Sequence, residues 1–195
     1  MNQPIKYDFW VVAIGSSAGG LQPLIKMIYS LPENANATFV IIPHLLRAGK
    51  SQLDFLLSKH SKMPTIRAAH RMPIEPQKIY ILPEGKLMTL KNGRLILRER
   101  QPEEIINYAI DTFFMSLASD AKEKAVGVIL SGNGSDGLEG SKEIEKNNGI
   151  VIVQDPQTAE SPGMPNAIIQ SDTPNAILAP EEISYKIIQH TGLVK

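Results

Sequence analysis

The chain has 195 residues, with 20 Lys plus Arg against 20 Asp plus Glu, so its formal net charge at pH 7 is zero. Such a balance gives no broad electrostatic field of the kind that draws a protein to nucleic acid or to an anionic membrane surface. Cysteine is absent, which excludes disulfides, thiolate catalysis and cysteine-held metal sites.

The length fits one sizeable domain, and we interpret residues 1–195 as a single unit. The opening residues, MNQPIKYDFW, lack the basic segment followed by an apolar segment that marks a signal peptide. No apolar run approaches the ~20 residues needed to span a bilayer. We therefore predict a cytoplasmic protein without membrane insertion, with no room before its first strand for an N-terminal regulatory domain.

Short apolar runs rich in Val and Ile predict strands that are buried on both faces of a mainly parallel sheet. They lie at 9–14, 38–43, 78–82, 125–130, 149–154 and 175–179. Segments with helical spacing alternate with them, at 21–30, 51–60, 102–121, 138–147 and 181–190. This alternation predicts a doubly wound, mostly parallel α/β fold of three layers, with the sheet between two layers of helices. The longest helix is expected to bury Ile105, Ile106 and Phe114 on one face.

One segment, LMTLKNGRLILRER, departs from this alternation. It places Asn92 and Gly93 between two apolar stretches, which is the strongest short-range signal for a β-hairpin. We predict an antiparallel excursion here.

The residues after each predicted strand are the candidates for chemistry, because ligands bind at the carboxyl ends of strands in open parallel sheets. After the first strand, residues 15–19 fit G-x-S-x-G, centred on Ser17. That pattern can hold a serine on a sharp strand-to-helix turn, with helix N–H groups near a developing oxyanion. A plain glycine-rich turn is the alternative. A phosphate-binding loop fits less well, because no lysine follows as in a Walker A motif.

His44 ends the stretch VIIPH and is the only one of the four histidines that directly follows an apolar strand. A histidine there can act as a general base towards a hydroxyl within hydrogen-bond reach. Without Ser17, a surface loop histidine would be the simpler interpretation.

Asp136 lies in GVILSGNGSDGLEG, between a predicted strand and a predicted helix. Aspartate is a favoured helix N-cap, which is one interpretation. A carboxylate is also what a serine–histidine pair needs to orient its imidazole. Other carboxylates could take this role instead, namely Asp111, Asp120, Asp155 and Asp172. No cluster of residues has zinc-binding spacing, so we predict no metal.

Taken together, these loops resemble the catalytic domain of the bacterial chemoreceptor methylesterases, the CheB family. AIGSSAGGL is similar to the family's nucleophile segment, VIIPHL to its histidine segment and GVILSGNGSDGLEG to its aspartate segment. YILPEGKLMTL, IDTFFMSLASD and QDPQTAESPGMPNAII resemble the intervening hairpin, a helix and the far side of the site. The resemblance implies Ser17 as nucleophile, His44 as base and Asp136 as the orienting carboxylate.

The resemblance also implies a function. Members hydrolyse glutamyl methyl esters on the cytoplasmic helices of chemoreceptors, in some cases with deamidation of receptor glutamines, and need no cofactor. The oxyanion-binding and substrate-lining residues would be Ala18, Gly19, Asn133, Gly134 and Met164.

The chain departs from the family pattern at several positions. Asn133 stands where the best-known members have methionine, Ala18 where many have threonine, and Lys86 near a usual histidine. The residues before the first predicted strand are too few for the receiver domain that normally precedes the family's catalytic domain, so we expect a catalytic domain without it. These departures keep open an alternative, a non-catalytic docking domain of a receptor signalling assembly. A nucleotide-binding role for the first loop is a third interpretation.

Overall fold

The computed structural model describes residues 6–45, 49–171 and 174–194. The strands are β1 (Trp10–Ser16), β2 (Ala37–Pro43), β3 (Thr65–Arg67), β4 (Met72–Pro73), β5 (Ile79–Ile81), β6 (Lys86–Lys91), β7 (Arg94–Glu99), β8 (Ala125–Ile129), β9 (Ile150–Gln154) and β10 (Ala176–Leu178). The helices are α1 (Leu21–Ser30), α2 (Leu53–Ser58), α3 (Ala109–Ala121), α4 (Leu138–Lys146), α5 (Gly163–Ser171) and α6 (Pro180–Thr191). In this part of the chain, no helix has the length and apolar character needed to cross a membrane.

A seven-stranded sheet in the order β10-β9-β8-β1-β2-β5-β3 forms the centre of the fold, and every pairing in it is parallel. β1 lies between β2 and β8, so the strand order reverses direction beside β1. In doubly wound sheets such a reversal opens a crevice at the carboxyl ends of the neighbouring strands. The six apolar runs of the sequence all become strands of this sheet, as predicted.

Apolar layers cover both faces of the sheet. α1, α2 and α6 pack on one face through Leu24, Leu57 and Ile183. α3, α4 and α5 pack on the other face, together with a small antiparallel sheet ordered β4-β7-β6. The doubly wound, three-layer α/β fold is therefore confirmed. β6 and β7 form the hairpin predicted at Asn92 and Gly93, both of which have positive φ.

The start of α3 differs from the sequence prediction. The helix begins at Ala109 and not at 102, and Ile105 and Ile106 are 85% and 63% exposed. Local side chains compete for the backbone before the helix: the Arg100 guanidinium donates to the carbonyls of Glu104 and Ile105. The predicted burial of Ile105 and Ile106 is therefore wrong.

Three elements gave no usable sequence signal. β3 and β4 have three and two residues, too few to show a periodic pattern. α5 is not among the helices predicted from the sequence, because Pro165 is typical of a loop, although proline is tolerated in the first turn of a helix.

Candidate active site

The sheet register brings the predicted catalytic segments together. Ser16 at the end of β1 is paired with Pro43 at the end of β2, so Ser17 and His44 leave neighbouring strands side by side. The His44 N–H donates to the Ser16 carbonyl at 2.9 Å, and the Ser17 N–H donates to the Ser131 carbonyl, after β8, also at 2.9 Å. Three adjacent strands, β8, β1 and β2, therefore deliver the three segments to one crevice.

His44 and Asp136 form a direct, largely buried pair. The distance from Nε2 of His44 to Oδ2 of Asp136 is 2.6 Å, and their side chains are 16% and 5% exposed. An ionised carboxylate only accepts hydrogen bonds, so this contact favours the tautomer that carries its proton on Nε2. Nδ1 is then the ring nitrogen that remains for proton exchange with a hydroxyl.

Ser17 shares a cleft of about 520 Å³ with His44. Its hydroxyl makes no hydrogen bond to any side chain or carbonyl in the described ranges, including the ring of His44. Catalytic hydrogen bonds are often long before substrate binds, so the shared cleft and register are the relevant geometry. The neighbouring Ser16 is almost fully buried at the end of β1, whereas Ser17 is half-buried.

The remaining walls of the cleft are mainly apolar. Leu21 and Leu24 contribute from α1, and Phe55 and Leu56 contribute from α2. Lys59 adds one cation, and its Nζ lies 4.1 Å from the centre of the Phe55 ring. The cleft can accept an uncharged side chain while presenting a positive group at its wall.

The loop after β8 is tied closely to the Ser17 turn. The Ser131 hydroxyl donates to the Ala18 carbonyl at 2.8 Å and accepts from the Ser161 N–H at 3.0 Å. A Cβ on Gly132 would lie 2.9 Å from the Cβ of Ser17, so only glycine permits this approach. The side-chain Oε1 of Gln154 accepts from the Ser131 N–H at 2.9 Å.

Sequence reasoning missed Ser131 and Gln154. The available signals are the first serine of SGNGSDG and the glutamine that ends the buried strand β9.

The residues predicted to bind the oxyanion or line the substrate site differ in their exposure to solvent. Ala18, Asn133 and Gly134 are exposed, and Gly19 has a φ of +71°. No protein group in the described ranges accepts a hydrogen bond from the N–H groups of Ala18 and Asn133, so both remain available to a ligand. Met164 is fully buried, and its sulfur lies against Gly132. It supports the loop from behind and, in this conformation, does not line the open cleft.

Asp136 does not cap its own helix α4; it caps α3 across space. Its Oδ2 accepts from the Ile110 N–H and its Oδ1 from the Asp111 N–H, both at 2.9 Å. Asp111 does the reverse, because its Oδ1 accepts from Gly137 at 3.0 Å and from Gly140 at 2.8 Å, at the start of α4. The pKa of Asp111 is raised to about 6, mainly by burial and also by the nearby carboxylate of Asp136, while the hydrogen bonds from the Gly140 and Gly137 N–H groups act in the opposite direction.

The other candidate carboxylates are bound elsewhere. Asp155 accepts from the Gln157 N–H at 2.9 Å, within a short turn. Asp120 binds the hairpin turn and the Tyr7 hydroxyl. Asp172 lies outside the described residues. Within the described ranges, no group of three or more His, Asp or Glu side chains could hold a metal ion.

Comparisons with known proteins identify the family of the chain. The family model described as CheB methylesterase matches residues 12–187. The chain is 30% identical over 189 residues to a protein-glutamate methylesterase/protein-glutamine glutaminase of Desulfitobacterium hafniense (strain Y51), covering 94% of this chain and 48% of that protein. It is 31% identical over 180 residues to protein-glutamate methylesterase/protein-glutamine glutaminase 3 of Pseudomonas aeruginosa PAO1, covering 92% and 54%.

A solved structure gives the same result for the fold. The CheB methylesterase catalytic domain of Thermotoga maritima superposes with a TM-score of 0.85 at 28% identity, covering 94% of this chain and 100% of that one. The chain spans about half the length of the curated relatives it matches. The matched residues include all three segments of the crevice, and the chain belongs to the CheB methylesterase family.

Proposed function

We propose that the chain is a serine carboxylic-ester hydrolase that removes methyl groups from glutamyl methyl esters of chemotaxis receptors. One observation carries the proposal: the His44–Asp136 pair, at 2.6 Å, shares a crevice with the half-buried Ser17 at the ends of three neighbouring strands. Membership of the CheB methylesterase family supports this chemistry. The protein-glutamate methylesterase names of its relatives support the substrate class.

The first half of the reaction acylates the serine. Nδ1 of His44 accepts the proton of the Ser17 hydroxyl as its Oγ attacks the ester carbonyl. Asp136 holds the ring through Nε2 and stabilises the imidazolium that forms. The imidazolium then gives its proton to the departing methoxide, so methanol leaves and a glutamyl-serine ester remains.

Backbone donors would stabilise the oxyanion of the tetrahedral intermediate. The N–H groups of Ala18 and Asn133 are the candidates, because neither has a partner among the described residues. Because Gly132 has no side chain, the loop that carries the Asn133 N–H can approach Ser17 closely. A water activated by His44 completes the cycle by hydrolysing the acyl-enzyme and restoring the Ser17 hydroxyl.

The proposed partner is the cytoplasmic part of a methylated chemoreceptor, and the proposed site of action is the cytoplasm. A methyl ester of glutamate is uncharged, which suits the apolar walls from α1 and α2. The same acyl-serine chemistry applied to glutamine would release ammonia, so we include deamidation as a second reaction to be tested.

The test compares two adjacent serines. Purified protein is incubated with receptor carrying radiolabelled methyl groups, and released methanol is counted. We expect Ser17→Ala to lose kcat by several orders of magnitude with its fold intact. We expect Ser16→Ala, the matched control, to retain most of the activity, because Ser16 ends β1 and is buried.

Other outcomes have separate meanings. Equal loss in both variants, or retained activity in Ser17→Ala, would assign the nucleophile elsewhere. Receptor binding without any methanol release from the wild-type chain would support the docking-domain alternative, which the exposed Asn133 in the loop beside Ser17 keeps open.

A further inference from the structure

We propose that Asp111 is a positioning residue for the catalytic carboxylate: it fixes the loop that carries Asp136 and thereby sets the orientation of His44. The kinetic part of this inference rests on the proposed function, whereas its spectroscopic part does not. Neither the family match nor the names of the relatives assigns a role to Asp111.

The first step of the argument is the closed set of contacts between two segments far apart in sequence. The Asp111 N–H donates to Oδ1 of Asp136 at 2.9 Å. The N–H of Gly137, the residue directly after Asp136, donates back to Oδ1 of Asp111 at 3.0 Å. Asp111 therefore holds Asp136 through its own backbone and holds the following peptide through its side chain.

The second step concerns α4. The Gly140 N–H also donates to Oδ1 of Asp111, at 2.8 Å, so one oxygen satisfies two N–H groups at the start of that helix. Asp111 is only 8% exposed. Water could not readily replace a lost acceptor there, and a buried N–H without a partner costs free energy. Removing the carboxylate would release the loop on the side where Asp136 is anchored.

The third step is electrostatic. Two carboxylates buried side by side repel each other, and their arrangement needs compensating donors. Here the donors are four backbone N–H groups, those of Ile110, Asp111, Gly137 and Gly140. Because Oδ1 of Asp111 acts only as an acceptor in these contacts, an asparagine amide oxygen can take its place.

The experiment uses Asp111→Ala, Asp111→Asn and a matched control, Asp120→Ala. Asp120 lies on the same helix and also accepts from two backbone N–H groups, those of Asn92 and Gly93, but it serves the hairpin. We expect Asp111→Ala to lower kcat about tenfold or more with little change in KM, as supporting partners of catalytic groups commonly do. We expect Asp111→Asn to restore most of kcat and Asp120→Ala to leave it unchanged.

A spectroscopic measurement accompanies the kinetics. The proton on Nε2 of His44, hydrogen-bonded to Asp136, is followed by NMR at low field in the wild type and each variant. We expect its resonance to shift or broaden in Asp111→Ala and to return in Asp111→Asn. If Asp111→Ala does not fold, Asp111→Glu is used, which keeps the charge but moves the accepting oxygen, and the same loss is expected.

The outcomes separate this inference from the proposed function. If the folded Asp111→Ala or Asp111→Glu variant keeps the wild-type resonance and kcat, the positioning role is overturned. An equal kcat loss in Asp120→Ala, or no recovery in Asp111→Asn, also overturns it. If the wild-type chain hydrolyses no ester, the proposed function fails, and the His44 resonance alone then decides the role of Asp111.

Discussion

At position 136 a single carboxylate accepts three hydrogen bonds, two from the backbone of α3 and one from the ring of His44. The two helix contacts need only acceptor oxygens, whereas the histidine contact selects a tautomer. The structural role of Asp136 and its proposed catalytic role therefore depend on the same two oxygen atoms, and a substitution can separate the two roles.

Asp136→Asn is the substitution that does so. Its amide oxygen can still accept from Asp111, but its NH₂ group would face Nε2 of His44 and favour the wrong tautomer. We expect kcat to fall by up to about 10⁴ and the free energy of unfolding to fall by about 1 kcal/mol, for the Ile110 N–H left unpaired. Ester hydrolysis and urea unfolding measure the two effects.

The control for this prediction is Asp155→Asn, at another carboxylate that accepts a backbone N–H near a strand end. We expect its activity to match the wild type. Activity of Asp136→Asn within a fewfold of the wild type would reduce Asp136 to a helix cap.

The raised pKa of Asp111 predicts how the free energy of unfolding depends on pH. Burial raises its pKa to about 6 in the folded protein, against about 3.9 in an unfolded chain. Between these values the folded state binds more protons than the unfolded state, so this group's contribution to stability falls as pH rises from about 4 to about 6. Asp111→Asn should flatten the pH dependence of stability in that window, as measured by urea unfolding at a series of pH values. An unchanged slope in the variant would contradict the assignment.

At the scale of elements, the contact between α3 and α4 holds the loop that carries Asp136. Gly140 lies where the helices approach, and a Cβ there would lie 3.3 Å from the backbone of Asp111 and closer still to Phe114. We expect Gly140→Ala to lower the free energy of unfolding by about 1–3 kcal/mol through overpacking. We also expect Gly140→Ala to lower kcat, because the loop with Asp136 leads directly into α4 and would move with it. Chemical denaturation and ester hydrolysis test both effects.

Glu139→Ala, at an exposed position of the same helix, is the control and should change stability by no more than about 0.5 kcal/mol. If the Gly140→Ala variant is as stable and active as this control, α3 and α4 can move apart without an effect on stability or activity, which contradicts the prediction.

The elements also show how far sequence could predict the fold. Runs such as VVAIG and FVIIP are apolar without alternation, and they gave strands whose ends lie within two residues of those found. The start of α3 could not be predicted in this way, because Ile105 and Ile106 extend its apolar spacing while the helix begins where Asp136 caps it. A cap supplied by a segment 26 residues away leaves no local signal.

In the candidate site, too, the features with a local sequence signal could be predicted and those that depend on tertiary contacts could not. Ser17, His44 and Asp136 could be grouped because each follows a predicted strand of a parallel sheet. The exchange of caps between Asp111 and Asp136 depends on how α3 packs on α4, and the support from Ser131 depends on the Ala18 and Ser161 segments meeting. Both are tertiary facts that no spacing in the sequence encodes.

At the scale of the whole molecule, burial is greatest at the centre of the parallel sheet. Val11, Val12, Ala13 and Ile14 of β1 are fully buried, whereas Ile177 of the edge strand β10 is 45% exposed. We expect native-state hydrogen exchange to be slowest in β1 and β8, which open only on global unfolding, and faster in β3 and β10. Equal protection in β1 and β10 would contradict this gradient.

The position of β1 has a consequence for biosynthesis. The proposed nucleophile and base lie in a βαβ unit that is complete by residue 44, whereas the carboxylate follows β8, which pairs with the opposite edge of β1. Because a domain generally folds as a unit, a nascent chain that ends before β8 holds the serine and histidine segments but lacks both the carboxylate and the strand that completes the sheet around β1. Under the proposed function, a copy would gain esterase activity only after β8 has paired with the open edge of β1, so a partly made copy would not hydrolyse receptor methyl esters.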